Sequence, residues 1–258
     1  MTVHFVGAGP GAADLLTLRA ARLLAEASVV LYPGTYLDPD VLAHCGPQAR
    51  LVDTQSLDLD QITAELVSAA QAGGSVVRLT SGDPSLYSAL HEQTKRLDAA
   101  GVPWQVTPGV PAYAAAAARV GRELTVPLVA QSVVLTRTQA RSTPMGTGES
   151  LRGYAASGAT LVLHLAITRI EALMAEIAPE VGEDCPVVVV YRASQPAEQV
   201  LHGTVASIAG LVAEADLRQA AVILVGRALT PTGSGESYLY SAERDRDAKR
   251  AAGPGGAW

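Results

Sequence analysis

VHFVGAGPGAADLLTLRAARLL occupies residues 3–24. Residues 3–6 are mostly apolar and suit a strand, and residues 14–27 place Leu15, Leu18 and Leu24 toward one side of a helix. Between them, Gly7, Gly9 and Gly11 crowd into five positions, where glycine lets the backbone turn tightly and approach a ligand closely. A strand, a glycine turn and a helix in this order open an α/β unit built on a parallel sheet. Residues 7–12 fit the spacing of a dinucleotide fingerprint, with Ala12 in the last position. Two features oppose a nicotinamide cofactor. Pro10 removes an N–H from the turn, and the next strand runs into Leu31, Tyr32 and Pro33 without an acidic residue to grip a ribose. A pyrophosphate site, a purely structural turn and a different ligand at the carboxyl ends of the strands all stay open at this point, the last being favoured.

Reading outward, short apolar runs continue to alternate with amphipathic ones. Strands are expected at 28–32, 75–79 and 104–106, and helices around 59–72, 86–100 and 112–120, the last rich in alanine. Two further turns follow strands: Thr80-Ser81-Gly82-Asp83-Pro84-Ser85 and Thr107-Pro108-Gly109-Val110-Pro111-Ala112. In the first, Gly-Asp-Pro is good turn chemistry and Ser85 is placed to cap the next helix, while Asp83 offers an acceptor to a ligand. Three glycine turns after three parallel strands converge on one edge of a sheet, and that convergence points to a binding site. A break falls at 121–127. Beyond it, strands are expected at 131–136, 160–165, 186–191, 199–203 (an edge) and 221–225, with a helix at 205–215. The run Val187 to Val190 suggests a strand buried on both faces. A polar loop spans 137–148, and residues 232–258 turn to Gly, Ser and mixed charge, as a flexible tail does. The expected division is 1–121, 122–231 and the tail 232–258.

The chain has 258 residues, 48% of them hydrophobic and only 4% aromatic, with a single Phe, so its core is built from Ala, Val and Leu. A net charge of −6 opposes general attraction to nucleic acid and confines any polyanion site to a local cluster of cations. Cys45 and Cys185 have no metal-ligand or disulfide spacing, which suits unreactive thiols in a reducing cytoplasm. No signal peptide is visible at the start, and no apolar run reaches the roughly 18 residues of a membrane span. A cytoplasmic protein without nucleic-acid or membrane partners is expected.

Five segments carry a family resemblance: VGAGPGAADLLTLRAARLL (6–24), SGDPSLYSAL (81–90), TPGVPAYAAAAA (107–118), YRASQPAEQVLHGT (191–204) and AAVILVG (220–226). In this order they resemble the tetrapyrrole methylases over residues 3–229. The resemblance implies two α/β domains with mostly parallel, mixed sheets, an S-adenosylmethionine cofactor in the cleft between them, and a homodimer. Within the family, LTRTQARSTP (135–144), after ELTVPLVAQSV (123–133), is similar to enzymes that methylate C11 of precorrin-4 in cobalamin biosynthesis. VVLYPGTYLDPDVL (29–42) is compatible with that subgroup. Cobalt-precorrin-4 or another ring carbon is the alternative, and a non-enzymatic module binding an adenine-containing ligand is a third.

The resemblance places the cofactor against Pro10, Gly82, Asp83, Leu86, Tyr87, Pro111 and Ala112 of the first half. In the second half it implies Leu165, Ala193, Ala221 and Val222. Most of these contacts are apolar or main-chain. The implied substrate carries many carboxylates, so Arg137 and Arg141 are its best candidate partners, because a guanidinium pairs with a carboxylate through two hydrogen bonds. Arg78, Arg119 and Arg122 are weaker candidates. His91 and His164 are the histidines considered for proton removal, though a structural role suits each better. No metal site is expected.

Overall fold

The computed structural model describes residues 1–34, 37–138, 144–231, 236–238 and 240–241. Arg141 and nearly all of the expected tail lie outside them. Five strands form the first sheet: β1 (Val3–Gly7), β2 (Val29–Tyr32), β3 (Arg50–Asp53), β4 (Val76–Thr80) and β5 (Trp104–Thr107). Their order is β3-β2-β4-β1-β5 and every pairing is parallel, so β4, β1 and β5 are neighbours and end on the same edge.

The second sheet contains β6 (Val133–Arg137), β7 (Thr160–His164), β8 (Pro186–Tyr191), β9 (Gln199–Thr204) and β10 (Ala221–Val225). It runs β6-β7-β10-β8-β9, parallel only between β6 and β7 and antiparallel elsewhere. The valine run behaves as its composition demands. Val187 and Val189 enter one apolar cluster while Val188 and Val190 enter another, so β8 is buried on both faces, and β9 is an edge, as β6 is on the other side.

Helices α1 (Leu18–Glu26), α2 (Pro39–Leu42), α3 (Leu59–Gln71), α4 (Leu90–Ala99) and α5 (Ala112–Val120) accompany the first sheet in sequence. Capping chemistry sets several of their ends. The Thr17 hydroxyl accepts from Ala20 N at 3.1 Å, which starts α1 four residues later than apolar spacing alone suggests, after a short 3₁₀ turn at Ala13–Leu15. Asp58 and Gln61 exchange bonds in a capping box at the head of α3. The expected helix at 86–100 starts only at Leu90, because Tyr87 and Ala89 take left-handed φ of 52° and 53°. Ser85 therefore caps no helix; its N–H and hydroxyl both bond Asp83.

In the second half, α6 (Leu151–Ala156), α7 (Ile170–Val181) and α8 (Ile208–Glu214) pack with the second sheet. Composition missed α2, β3, α6 and α7. The first three are only four to six residues long, and α7 lacks a side-chain N-cap and carries Pro179 near its end. α5 does not pack on its own side of the chain. Ala115 and Ala116 join Val162, Val190 and Leu224 in one buried cluster on the second sheet, where alanine permits the close approach. Among the described residues no helix is long and apolar enough to cross a membrane. Cys45 is half-buried, Cys185 is buried, and desolvation pushes both thiols above their ordinary range.

The single Phe of the chain, Phe5, is 0% exposed in β1 and meets the Trp104 ring edge-on at a centroid distance of 6.5 Å. Phe5→Ala is expected to lower the unfolding free energy by about 3–5 kcal/mol, measured by urea denaturation; a loss below 1 kcal/mol would show that this core is loosely packed.

Candidate active site

The carboxyl ends of β1, β4 and β5 meet through bare backbone. A Cβ on Gly7 would lie 2.5 Å from Gly109 N and 2.7 Å from Gly82 O, and one on Gly109 would lie 2.2 Å from Gly82 O. Only hydrogen fits at these two positions. Gly82 itself adopts φ 68°, and it trades hydrogen bonds with Gly9, Gly82 N donating to Gly9 O at 2.7 Å and Gly9 N to Gly82 O at 3.2 Å. Asp83 completes the weld. Its Oδ2 accepts from Gly109 N at 2.8 Å, and its Oδ1 accepts from Ser85 N at 2.8 Å and from the Ser85 hydroxyl. Desolvation, the largest single influence, would raise the Asp83 pKa, but the bonds from the Ser85 hydroxyl, Gly109 N and Ser85 N together hold it below the usual carboxylate range. Asp83 thus joins two loops with three of the roughly four acceptor sites of its carboxylate.

Above this floor lie two adjoining cavities of about 320 and 420 Å³, within the roughly 300–1,000 Å³ usual for small-molecule sites. The first is walled by Pro10 and Ala112 on one side and by Ala166, Arg192, Ala193, Ala220, Ala221 and Val222 on the other. Gly82, Asp83, Leu86, Tyr87, Pro111 and the buried Arg78 line the second. Ser81, Ala112, His164 and Leu165 border both. All eleven residues assigned to the cofactor by resemblance therefore line one cavity or the other, from both halves of the chain.

Several wall residues are strained. Tyr87 (φ 52°), Leu165 (54°), Arg192 (48°) and Ala220 (51°) sit in the left-handed region, which costs a non-glycine residue roughly 1–2 kcal/mol. Leu165 is also 67% exposed, an apolar side chain held at the cleft in a costly conformation. Ser194 and Gln195 fasten the second half to the glycine loop. Ala12 N donates to Ser194 Oγ at 3.1 Å, and Gln195 Nε2 donates to Pro10 O at 3.2 Å. Glu198 in turn accepts from Ser194 N at 2.7 Å and pairs with Arg119 on α5, so Arg119 serves this clasp.

His164 ends β7 where the two cavities join. Its ring lies 5.6 Å from that of Tyr87 and 6.5 Å from that of Tyr113, and its buried Nε2 has no hydrogen-bond partner among the described residues. Desolvation lowers its pKa, so the imidazole is neutral at pH 7. His91 is exposed on α4 and borders neither cavity. Arg137 ends β6 and pairs in register with His164, but it lines a separate depression with Glu149 and Arg169; its charge still reaches Tyr87. Arg122 is exposed and borders neither cavity. Sequence reading missed Ser81, Arg192, Gln195 and Ala220. The signal for three of them was position, since Ser81, Arg192 and Ala220 each flank the end of a strand.

Two outcomes are expected. Gly109→Ala should destabilise the fold by about 3 kcal/mol through backbone overlap that no rotamer relieves, read from thermal unfolding. Asp83→Asn should cost about 1–3 kcal/mol at neutral pH, because one N–H among Gly109 and Ser85 loses its acceptor. The depressed Asp83 pKa makes its contribution full at neutral pH and lost as pH falls through the folded-state value, so the variant's stability should fall less steeply with acid. Equal acid slopes for variant and wild type would contradict this.

A match to the tetrapyrrole (corrin/porphyrin) methylases spans residues 2–209. A precorrin-4 C(11)-methyltransferase of Rhodococcus erythropolis is 53% identical over 246 residues, covering 95% of this chain and 99% of that one. The solved structure of a cobalt precorrin-4 methyltransferase superposes with a TM-score of 0.86 at 36% identity, over 89% of this chain and 96% of the other. A uroporphyrin-III C-methyl transferase from Thermus thermophilus, complexed with S-adenosyl homocysteine, gives a TM-score of 0.75 at 30% identity over 92% and 97%. With most of its length matched and the site assembled from both halves, the chain belongs to the tetrapyrrole methylase family.

Proposed function

We propose that the chain transfers a methyl group from S-adenosylmethionine to C11 of precorrin-4, giving precorrin-5 on the route to cobalamin. The observation that carries this reading is the convergence of all eleven expected cofactor residues on two adjoining cavities, in a chain 53% identical to a relative of that name. A metal-free substrate is favoured over cobalt-precorrin-4 because the cobalt-named structural relative is only 36% identical.

The walls fit such a cofactor. Apolar groups of Pro10, Leu165, Ala193, Ala221 and Val222 face it, and the His164 ring at the junction of the cavities is neutral. Bound there, the cofactor supplies an electrophilic methyl group. The chain's own part is positional. Leu165, Ala193, Ala221 and Val222 exclude water, which would otherwise compete and screen the developing charges. The welded loops fix one wall, so that the ring carbon can be held in line at about 3–3.5 Å from the reacting methyl. Transfer would leave the sulfonium as a neutral thioether, and the proton displaced from the ring would pass to solvent. Residues 1–121 and 122–231 are proposed as two units, with α5 reaching across to the second sheet. A cytoplasmic homodimer is proposed on the same resemblance; a monomer mass in light scattering would contradict it.

Incubation with S-adenosylmethionine and precorrin-4 is expected to yield a product one methyl heavier, with the methyl on C11 by NMR. Methylation at another carbon, or only of the cobalt form, would replace this substrate with the alternative; binding without turnover would make the chain an adenine-ligand module. Arg137→Ala should raise the Kd for precorrin-4 about 10-fold while leaving that for S-adenosylhomocysteine within twofold, by the worth of one charge-assisted bond; equal losses, or none, would count against Arg137. Because the lowered His164 pKa keeps the ring neutral through pH 7, cofactor affinity should hold there and weaken only as acid protonates it. His164→Phe should abolish that acid limb in a calorimetric pH series; an unchanged limb would place its cause elsewhere.

A further inference from the structure

Arg78 lies in the middle of a sheet, on β4 between β1 and β2, and is 7% exposed. A guanidinium buried this far ordinarily has a carboxylate against it, since an isolated charge is expensive to desolvate. Arg78 has none among the described residues. Its Nε donates to Gln93 Oε1 at 3.1 Å and its Nη1 to Thr54 Oγ1 at 3.1 Å, both neutral acceptors. Gln93 is itself held, its amide donating to Ser88 O at 3.2 Å and Ala89 O at 3.1 Å, so the acceptor presented to Arg78 is fixed in place. Asp83, the acidic residue bordering the same cavity, is committed to Gly109 and Ser85.

Five N–H donors radiate from a guanidinium, and these two bonds use two of them. Arg78 also borders the 420 Å³ cavity. Desolvation pushes its pKa down to about 10, which still leaves the cation fully charged at pH 7. A buried positive charge with neutral partners, opening on a cavity that residues assigned to the cofactor also line, is a prepared seat for an anion. We propose that Arg78 binds a peripheral carboxylate of the tetrapyrrole substrate, with Gln93 and Thr54 holding its guanidinium toward the cavity. Resting on the functional reading above, this adds a substrate anchor inside the cleft, where Arg137 stands outside both cavities. An acidic chain can in this way hold a polyanionic ring through one desolvated cation, because the low local dielectric strengthens the pairing.

The test is calorimetric titration of the full-length chain with precorrin-4 and, separately, with S-adenosylhomocysteine. Arg78→Gln should weaken precorrin-4 binding about 10- to 100-fold, as expected for a lost charge-assisted hydrogen bond, with S-adenosylhomocysteine affinity within twofold of wild type. Arg78→Lys should recover part of the loss. Gln93→Glu keeps the cation and gives it an internal counter-charge, while removing the amide bonds to Ser88 O and Ala89 O, so it should weaken precorrin-4 binding more than S-adenosylhomocysteine binding. That variant keeps the test decisive should Arg78→Gln fail to fold. A loss confined to S-adenosylhomocysteine, or equal for both ligands, overturns the proposal by giving the anion to the cofactor. Wild-type affinity for both ligands in the folded variants overturns it by reducing Arg78 to a structural tie. Wild-type protein that binds S-adenosylhomocysteine but no precorrin-4 overturns the functional reading and this inference together.

Discussion

Three loops at the end of the first sheet touch through bare peptide groups at Gly7, Gly82 and Gly109, and the Asp83 carboxylate binds the β5 loop from the β4 loop. Everything at the site is built on that contact. Parallel strands in the order β4-β1-β5 bring the loops side by side, and the missing side chains let them close into one floor. The bond from Gly109 N to Asp83 ties the turn from Pro108 to Pro111 to the β4 loop, and Ala112 just beyond that turn borders both cavities.

The second sheet completes the cleft by different means. Ser194 and Gln195 bond directly to the glycine loop, Glu198 holds both Ser194 and Arg119, and α5 lays its alanine face on β7, β8 and β10. These ties keep the strained wall of Leu165, Arg192 and Ala220 opposite the floor. Left-handed conformations in ordinary residues persist only where the surroundings fix them, and here they cluster along the cleft.

The amino-acid sequence made the strands around the site legible, because glycine turns after apolar runs are strong local signals and the valine run of β8 reads as a strand buried on two faces. Elements whose identity depends on their neighbours were hidden. β3 is a short edge that pairs only with β2, and α7 ends through Pro179 without a capping side chain at its start. The tie that Asp83 makes between the β4 and β5 loops was hidden, because the chain alone cannot show that Gly109 and Ser85, 26 and 2 residues away, donate to its carboxylate. Arg78 stood among the weaker cations for a similar reason: only burial beside Gln93 and Thr54, with no carboxylate against it among the described residues, distinguishes it from a solvated arginine.

A crystal structure of the chain grown with S-adenosylhomocysteine tests the central claim most directly. The account predicts the thioether ligand in the cleft, touching Pro10 and Ala112 from one half and Ala193 and Val222 from the other. Density for it at any other surface, or a cleft empty at saturating concentration, would contradict that claim.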